Sequence, residues 1–360
     1  MRETNRFGWT AAALLAAAGM LGTTATAGAQ SAFLTLPDVS QRATVSQRVG
    51  LTDLTVEYHR PLVAGRKIFG ALAPYGRVWR AGANYNTTIA VTDPVTVEGR
   101  PLAKGVYGLH MIPGESSWVV IFSKNATSWG SFSYDSTEDA LRVSVAPRPI
   151  AHQEVLTYAF DKPAPRSVVL TMRWENVAVP LRIDVDVPHL VAQRLRDQLR
   201  GRVQTEWQAW EETANYLLAN GLDAAEALRY ADRSVAIEDR FENEITKARA
   251  LTALGRTDSA RAVQAKALAL GTQRQVYDFG RGLQRLGQQD AALAIYRADL
   301  ARDPGTWIAR LEAARVAVGA HDFGTAVQQA QRAAAVAPPD VKESVQDLVV
   351  QLQHGVDINR

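Results

Sequence analysis

The sequence contains no cysteine. This absence excludes disulfide bonds, lipid attachment through an N-terminal cysteine, thiolate catalysis and cysteine-ligated zinc. Stability must therefore come from packed cores, and a chain of 360 residues is long enough to form two of them. Hydrophobic residues make up 47% of the chain and charged residues 21%, which is typical of a folded globular protein.

An excess of charge of either sign is also missing. The chain has 40 Lys and Arg residues against 37 Asp and Glu residues, a net charge of +3. That imbalance is too small to indicate a nucleic-acid partner or a membrane surface. Any partner that is recognised through charge must therefore bind a local patch.

Motifs of metal and catalytic sites are absent as well. The histidines of the N-terminal half are not spaced as H-x-H or H-E-x-x-H, the patterns of many zinc sites; they are His59, His110, His152 and His189. No G-x-S-x-G elbow and no glycine-rich phosphate loop is present. We therefore expect no metal and no cofactor, assign no catalytic residue, and favour a protein that is not an enzyme.

A long uncharged run occurs only at the N-terminus. Arg2 and Arg6 precede residues 8–21, which carry no charge, and Ala27-Gly28-Ala29 has the small-x-small pattern of a signal peptidase site. The run is too short and too rich in alanine and glycine for a typical spanning helix. We predict a signal peptide over residues 1–29, cleavage after Ala29, a periplasmic or secreted protein, and no membrane span after cleavage.

Alternating apolar residues predict β-structure over residues 30–188. Val168, Leu170, Met172 and Trp174 share one face, residues 179–185 repeat the pattern, and 118–122 and 155–160 are further β-forming runs. Turn signals lie at 98–101, 113–114, 161–163 and 175–176. Together they predict roughly eight to ten short strands in an antiparallel all-β sandwich or barrel-like sheet pair. Residues 60–83 break the pattern and are expected to form a long structured loop.

A helical repeat follows. Proline does not recur between Pro188 and Pro304, and four similar segments have glycines spaced by 34, 32 and 32 residues: Gly221, Gly255, Gly287 and Gly319. Each glycine is expected to end the first helix of a hairpin. A small residue after each glycine is expected to let the second helix approach closely; these residues are Ala227, Ala262, Ala294 and Ala326.

This pattern resembles the tetratricopeptide repeat, whose period is 34 residues. The resemblance covers residues 204–340, and residues 340–354 are expected to form a capping helix. It implies an all-α solenoid of four stacked hairpins over 204–354, joined to the β-domain by a linker and first helix at 189–203. Such arrays usually bind peptide segments, so we predict a protein or peptide partner.

The most unusual stretch is 58–92, which contains arginines and aromatic residues but no Asp or Glu. Guanidinium groups bind carboxylates and phosphates in a bidentate manner, which favours a pocket for a small anionic or polyhydroxylated ligand. The predicted ligand-binding residues are Tyr58, Arg60, Arg66, Trp79, Arg80, Asn84, Thr88 and Lys124. The alternative is that the arginines tie a long loop to backbone carbonyls and to Asp53, Glu57 or Asp93.

Several of these residues belong to longer motifs. The motifs are VEYHRP at 56–61, GRKIFG at 65–70, PYGRVWRAGAN at 74–84 with Thr87-Thr88, GVYGL at 105–109, MIP at 111–113, the run 118–124, and Trp129-Gly130. Over residues 38–187 they resemble the bacterial domain of unknown function 2911. The resemblance implies an exported, β-rich domain that is sometimes followed by tetratricopeptide-like repeats and has no established activity. It also groups Tyr58, Arg60, Arg66, Trp79, Arg80, Asn84 and Thr88 into one cluster.

His59 departs from the family pattern. Similar proteins often have Ser-Arg-Pro where this chain has His59-Arg60-Pro61, so a shared catalytic role for His59 is not expected. Three functions stay open. The chain is a ligand- or partner-binding protein, a hydrolase or isomerase acting on envelope carbohydrate or peptide, or a purely structural scaffold. In the enzyme alternative, Arg66 and Arg80 stabilise charge and Glu57 or Asp93 acts as the base.

Overall fold

The computed structural model describes residues 38–360, so the predicted signal peptide lies outside the described residues. Ten β-strands come first in that range. They are β1 (Gln41–Val49), β2 (Thr52–Arg60), β3 (Thr87–Val91), β4 (Val95–Val97), β5 (Arg100–Leu102), β6 (Gly105–Ile112), β7 (Trp118–Ser123), β8 (Asp139–Val145), β9 (Arg148–Ala164) and β10 (Ser167–Asp184). A short 3₁₀ helix, Ser136–Glu138, precedes β8.

The strands form two antiparallel sheets. One has six strands in the order β1-β2-β3-β6-β7-β8, and the other has four in the order β5-β4-β10-β9. Both sheets are open, and they enclose one hydrophobic core that includes Trp118, Phe122 and Trp174. The predicted antiparallel β-domain of two sheets is thereby confirmed, and the sheets do not close into a barrel.

The longest strand contains a predicted turn that proves to be a β-bulge. The inward residues of β10 are even-numbered from Val168 to Trp174 and odd-numbered from Val179 to Ile183, so one extra residue must shift the phase. That shift occurs around Glu175, where the register is irregular and φ is +54°. The turn predicted at 161–163 is likewise an irregularity inside β9, with φ of +48° at Lys162. The chain reverses at residues 165–166, between β9 and β10.

Ten α-helices fill the rest of the described chain. They are α1 (Val187–Gln198), α2 (Trp207–Ala219), α3 (Ala224–Ile237), α4 (Phe241–Ala253), α5 (Thr257–Leu270), α6 (Gln273–Arg285), α7 (Gln289–Leu300), α8 (Trp307–Gly319), α9 (Phe323–Val336) and α10 (Pro339–Gln353). From α2 to α9 they form four consecutive hairpins, and α10 packs on α9. The predicted all-α array is therefore confirmed, and α10 lies where the capping helix was predicted.

Three of the four repeat glycines end a helix as predicted. Gly221, Gly255 and Gly287 have φ between +64° and +75°, a left-handed conformation that glycine adopts without steric cost. The fourth, Gly319, is the last residue of α8, and His321 takes the left-handed position with φ of +60°. Gly319 instead makes room for the Leu293 side chain, which a Cβ would overlap.

The small residues of the second helices were predicted correctly in two hairpins only. Ala227 and Ala326 are fully buried, whereas Ala262 and Ala294 are exposed. Ala260 and Ala292, two residues earlier, occupy the buried positions. In the two middle hairpins, the buried face of the second helix is therefore shifted from the predicted one.

Helix α1 connects the sheets to the array. Val187 and Leu190 pack on the β-core, and Ala192 lies in the core cluster formed with α2 and α3. Arg194 forms an ion pair with Asp93 at 2.8 Å, and Arg196 pairs with Glu226 of α3 at 2.6 Å. No helix within residues 38–360 is long and apolar enough to cross a membrane.

Candidate ligand-binding clefts

The long loop between β2 and β3 is anchored to both sheets. The Trp79 backbone N–H donates to the Met111 carbonyl at 2.7 Å, and the Met111 N–H donates back at 2.8 Å. The Trp79 ring stacks on Trp174 of β10, and Phe69 packs edge-on against Trp118. The long loop predicted from the sequence is therefore held in place by contacts with both sheets.

The turn after Trp79 carries backbone strain. Ala81 and Asn84 have φ of +53° and +54°, a region that side chains other than glycine rarely occupy. The Ala81 carbonyl accepts hydrogen bonds from Tyr158 Oη at 2.8 Å and Thr87 Oγ1 at 3.1 Å. Such strain persists where surrounding contacts hold it, and it is common at ligand sites.

Four of the predicted ligand-binding residues line one cleft of about 770 Å³: Arg66, Trp79, Arg80 and Asn84. We call it the arginine cleft. Its other walls include Ser40, Leu62, Ser131, Phe132 and Trp174. No Asp or Glu from residues 38–360 lines it, so its two formal charges are both positive.

Arg80 is the charged group of the cleft that has neither a counter-ion nor a hydrogen-bond acceptor among residues 38–360, whereas Arg66 lacks a counter-ion there but donates to two backbone carbonyls. Within the described range no carboxylate lies at ion-pair distance from Arg80 and no acceptor receives its hydrogen bonds. Its guanidinium carbon lies 5.8 Å from the centre of the Trp129 ring. Partial burial lowers the pKa of Arg80 from its ordinary value, and no carboxylate compensates. Because arginine stays charged at neutral pH, the cleft holds an unneutralised cation that favours an anion.

Two other predicted arginines fasten the loop. Arg66 donates to the carbonyls of Val63 and Leu62, although it also lines the cleft. Arg60 donates to the Leu156 carbonyl at 3.2 Å and to Thr157 Oγ1 at 3.0 Å, and it thereby ties β2 to β9. The backbone-tethering alternative therefore describes Arg60 fully and Arg66 in part.

The remaining predicted residues lie away from the arginine cleft. Tyr58 is buried in the core, edge-on to Tyr158 with ring centroids 4.8 Å apart. Thr88 lines a second cleft, and Lys124 is exposed just after β7. Asn84, which is in the arginine cleft, donates to the Ser40 carbonyl at 3.4 Å.

The three nearby acids have other partners. Asp53 pairs with Arg48 at 2.7 Å, Glu57 pairs with Arg42, and Asp93 pairs with Arg194. Neither Glu57 nor Asp93 lines the arginine cleft. The constellation expected for a hydrolase or isomerase, a carboxylate base beside Arg66 and Arg80, is therefore not formed by these residues.

The second cleft, of about 480 Å³, lies beside the same loop, and we call it the His59 cleft. Its walls are polar and include both signs of charge: Asp38, Arg42, Glu57, His59, Tyr85, Asn86, Thr88, Thr127 and Ser128. Tyr85 is 60% exposed. Neither His59 nor Asn86 is among the ligand-binding residues predicted from the sequence, because their burial depends on how β2, β3 and the 125–128 loop meet.

Sequence reasoning also missed two walls of the arginine cleft. Trp174 was identified only as an inward strand residue, and Phe132 follows the Trp129-Gly130 motif without belonging to it. Both are far from the 58–92 stretch in sequence and reach the cleft through the fold. The alternation of apolar residues over 168–174 did place Trp174 on the inner face of its strand, and this was the signal that the sequence offered for its position.

The C-terminal segment lies against the helical array. Arg281 of α6 and Arg315 of α8 both donate to the Ile358 carbonyl. Gln284 Nε2 donates to Asn359 Oδ1 at 2.9 Å, and Asn359 Nδ2 donates to the Arg315 carbonyl at 2.9 Å. The array therefore holds a short non-helical segment through polar contacts.

Among residues 38–360, no three His, Asp or Glu side chains are grouped to hold a metal ion.

Comparisons with known proteins found a family model and several solved structures. Residues 40–183 match the family model described as "Protein of unknown function (DUF2911)", as the sequence motifs predict. No curated protein matches the chain.

Solved structures that match include the APC/C hetero-tetramer Cut9-Hcn1, with 23% identity and a TM-score of 0.27 over 41% of this chain and 28% of that one. YrrB, described as a TPR protein with an unusual peptide-binding site, has 16% identity and a TM-score of 0.28, over 46% of this chain and 84% of that one. TTC0263, a thermophilic TPR protein of Thermus thermophilus, has 19% identity and a TM-score of 0.28, over 47% and 91%.

Proposed function

We propose that this protein is a binding protein whose β-domain holds a small anionic ligand in the arginine cleft. The observation that carries this proposal is Arg80, a partly buried guanidinium with no carboxylate partner among residues 38–360, in a cleft without acidic walls. The Trp79 ring, which stacks on the buried Trp174 ring, offers an apolar surface beside the charge. A concave site with aromatic walls and a few convergent polar groups is typical of ligand binding.

A thermal-shift screen of the full chain tests this proposal. The panel contains succinate, citrate, galacturonate and inorganic phosphate. An anion present at roughly a hundredfold excess over its dissociation constant adds about 2.7 kcal/mol to the free energy of unfolding. We expect at least one anion to raise the melting temperature of the wild type and not that of Arg80→Ala.

Arg77→Ala is the matched control, because Arg77 is an exposed arginine of the same loop that does not line the cleft. Its shift should equal that of the wild type. If no anion of the panel stabilises the wild type, or if Arg80→Ala responds as the wild type does, the proposal is wrong.

We propose in addition that the helical array binds an extended protein segment on α6 and α8. Arg281 and Arg315 both donate to the Ile358 carbonyl. Because every residue has a backbone carbonyl, such a contact recognises the main chain of a segment independently of its side chains. Residues 356–360 already occupy this surface, so a partner segment would displace them. The test uses a variant that ends at Gly355 and a fluorescent peptide of sequence VDINR. We expect saturable binding that Arg281→Ala weakens, and a folded variant without binding would contradict the proposal.

Export is part of the same proposal. The motifs of residues 1–29 support it, and a binding protein outside the cytoplasm would need no disulfides given the packed hydrophobic clusters of the β-domain and of the helices. Mass spectrometry of the protein purified from its source cells identifies its N-terminal residue and thereby tests this point. We expect the chain to begin at Gln30, and a protein that retains residues 1–29 would refute cleavage.

A further inference from the structure

The His59 cleft contains two buried polar atoms without partners. His59 and Asn86 are 5% and 6% exposed, and neither His59 Nδ1 nor Asn86 Oδ1 has a hydrogen-bond partner within residues 38–360. A buried polar atom left without a hydrogen bond destabilises the folded state, because its hydration is lost and not replaced. Nearly all such atoms are satisfied in folded proteins, so two of them in the walls of one cleft indicate that a polar molecule completes the site.

Surrounding contacts hold Asn86 in place. Asn86 Nδ2 donates to the Asn125 carbonyl at 3.2 Å, which fixes the amide so that Oδ1 is the free atom. The Asn86 backbone N–H donates to the Ser128 carbonyl at 3.0 Å. Gly108 lies beneath the amide, and a Cβ at that position would overlap both the amide and the Asn125 carbonyl. The free acceptor is therefore positioned by the fold before any ligand binds.

The His59 cleft has charged groups of both signs, unlike the arginine cleft. Glu57 pairs with Arg42, and His59 Nε2 lies 3.4 Å from Asp38 Oδ2. The remaining polar walls are hydroxyl groups of Thr88, Thr127 and Ser128. Such a site has both donors and acceptors, and each hydroxyl of a sugar is likewise both a donor and an acceptor.

An aromatic surface adjoins these polar groups. The Tyr85 ring is 60% exposed and lies 6.0 Å from the His59 ring, and Trp129 beside it is 59% exposed. The backbones of Tyr85 and Trp129 form an isolated bridge, which keeps the two side chains on neighbouring positions. Large aromatic rings that remain exposed next to a polar cleft are typical of binding surfaces, because Tyr and Trp side chains combine an apolar ring with a polar group at its edge.

We propose that the His59 cleft is a second binding site that takes a neutral saccharide. Its hydroxyls bind to His59, Asn86 and Thr88, and one of its apolar faces packs on Tyr85. This site does not depend on the proposed anion site, because Arg66 and Arg80 line the other cleft.

Saturation-transfer NMR with the full chain tests the proposal. The probes are cellobiose, maltose and N,N′-diacetylchitobiose, each at millimolar concentration. We expect transfer to at least one of them with the wild type and with Arg80→Ala, and an affinity at least about tenfold lower for Tyr85→Ala. Because the Tyr85 side chain is exposed, the variant should keep the circular dichroism spectrum and melting temperature of the wild type.

Tyr75→Ala is the control, since Tyr75 is an exposed tyrosine of the same loop outside both clefts. It should bind as the wild type does. Lack of transfer to all three disaccharides, or binding that Tyr85→Ala leaves unchanged, would overturn the saccharide site. Loss of anion binding in Arg80→Ala would still be observed in either case, so the two sites are tested separately.

Discussion

The rings of Trp79 and Trp174 stack with centroids 5.8 Å apart and planes inclined by 16°. Trp79 belongs to the long loop, whereas Trp174 belongs to β10 in the four-stranded sheet and is 1% exposed. Because Arg80 directly follows Trp79, the stack also helps to set the position of the Arg80 guanidinium. This wall of the arginine cleft is thus continuous with the hydrophobic core.

Replacement of Trp174 should therefore destabilise the β-domain. Loss of a fully buried aromatic side chain leaves a cavity, and we expect Trp174→Ala to lower the free energy of unfolding by about 3–5 kcal/mol. Urea denaturation followed by near-ultraviolet circular dichroism measures the change. Trp129→Ala is the control, because Trp129 is 59% exposed and its loss should cost about 0.5 kcal/mol or less. Equal costs for the two variants would contradict the described packing.

Two glycines of α6 should respond to alanine with opposite signs. A Cβ on Gly280 would lie 2.6 Å from Cζ of the Tyr296 ring, whereas a Cβ on Gly282 meets no atom within 4 Å. We expect Gly282→Ala to stabilise the protein by about 0.5–1 kcal/mol, since alanine is the better helix former. Gly280→Ala should destabilise it by about 1–3 kcal/mol through overpacking. Chemical denaturation of the two variants side by side measures both effects, and shifts of the same sign would show that α6 and α7 do not pack as described.

Glu312 of α8 should make stability depend on pH. It is fully buried, and its carboxylate oxygens have no hydrogen-bond partner within residues 38–360. Burial, followed by the charge of Asp299, raises the pKa of Glu312 to about 9. The folded protein then binds a proton that the unfolded chain releases near pH 4.5. The free energy of unfolding therefore falls as pH rises through this window, by up to about 1.4 kcal/mol per pH unit.

Glu312→Gln should remove this dependence. The glutamine amide can donate to Asp299 at every pH, as only the protonated carboxyl can. We expect the variant to have a higher melting temperature than the wild type at pH 8 and a flatter profile from pH 5 to 9. Glu343→Gln, at an exposed position of α10, should follow the wild-type profile. A Glu312→Gln profile as steep as that of the wild type would show that another group titrates.

The β-domain could be predicted from strands in which apolar and polar residues alternate. In β10, Val168, Leu170 and Met172 alternate with the half-buried Val169 and the polar Thr171, and this period identifies a strand without further information. The bulge at Glu175 was mistaken for a turn because a change of phase and a chain reversal leave the same local signal. Only the pairing of β10 with β9 distinguishes them.

The candidate sites were predictable only where their residues are neighbours in sequence. Arg66, Trp79, Arg80 and Asn84 lie within one acid-free stretch, so composition alone pointed to them. Trp174 and Phe132 complete the same cleft from distant parts of the chain. His59 and Asn86 acquire their unpartnered atoms only through burial, which depends on tertiary packing and has no signature in the local sequence.

The central claim is that the arginine cleft binds an anion through Arg80. Isothermal titration of the full chain with the most stabilising anion of the panel tests it most directly. We predict one binding site per chain, an affinity at least about tenfold lower in Arg80→Ala, and unchanged affinity in Arg77→Ala. Heat-silent titrations with every anion, or equal affinities for the wild type and Arg80→Ala, would contradict it.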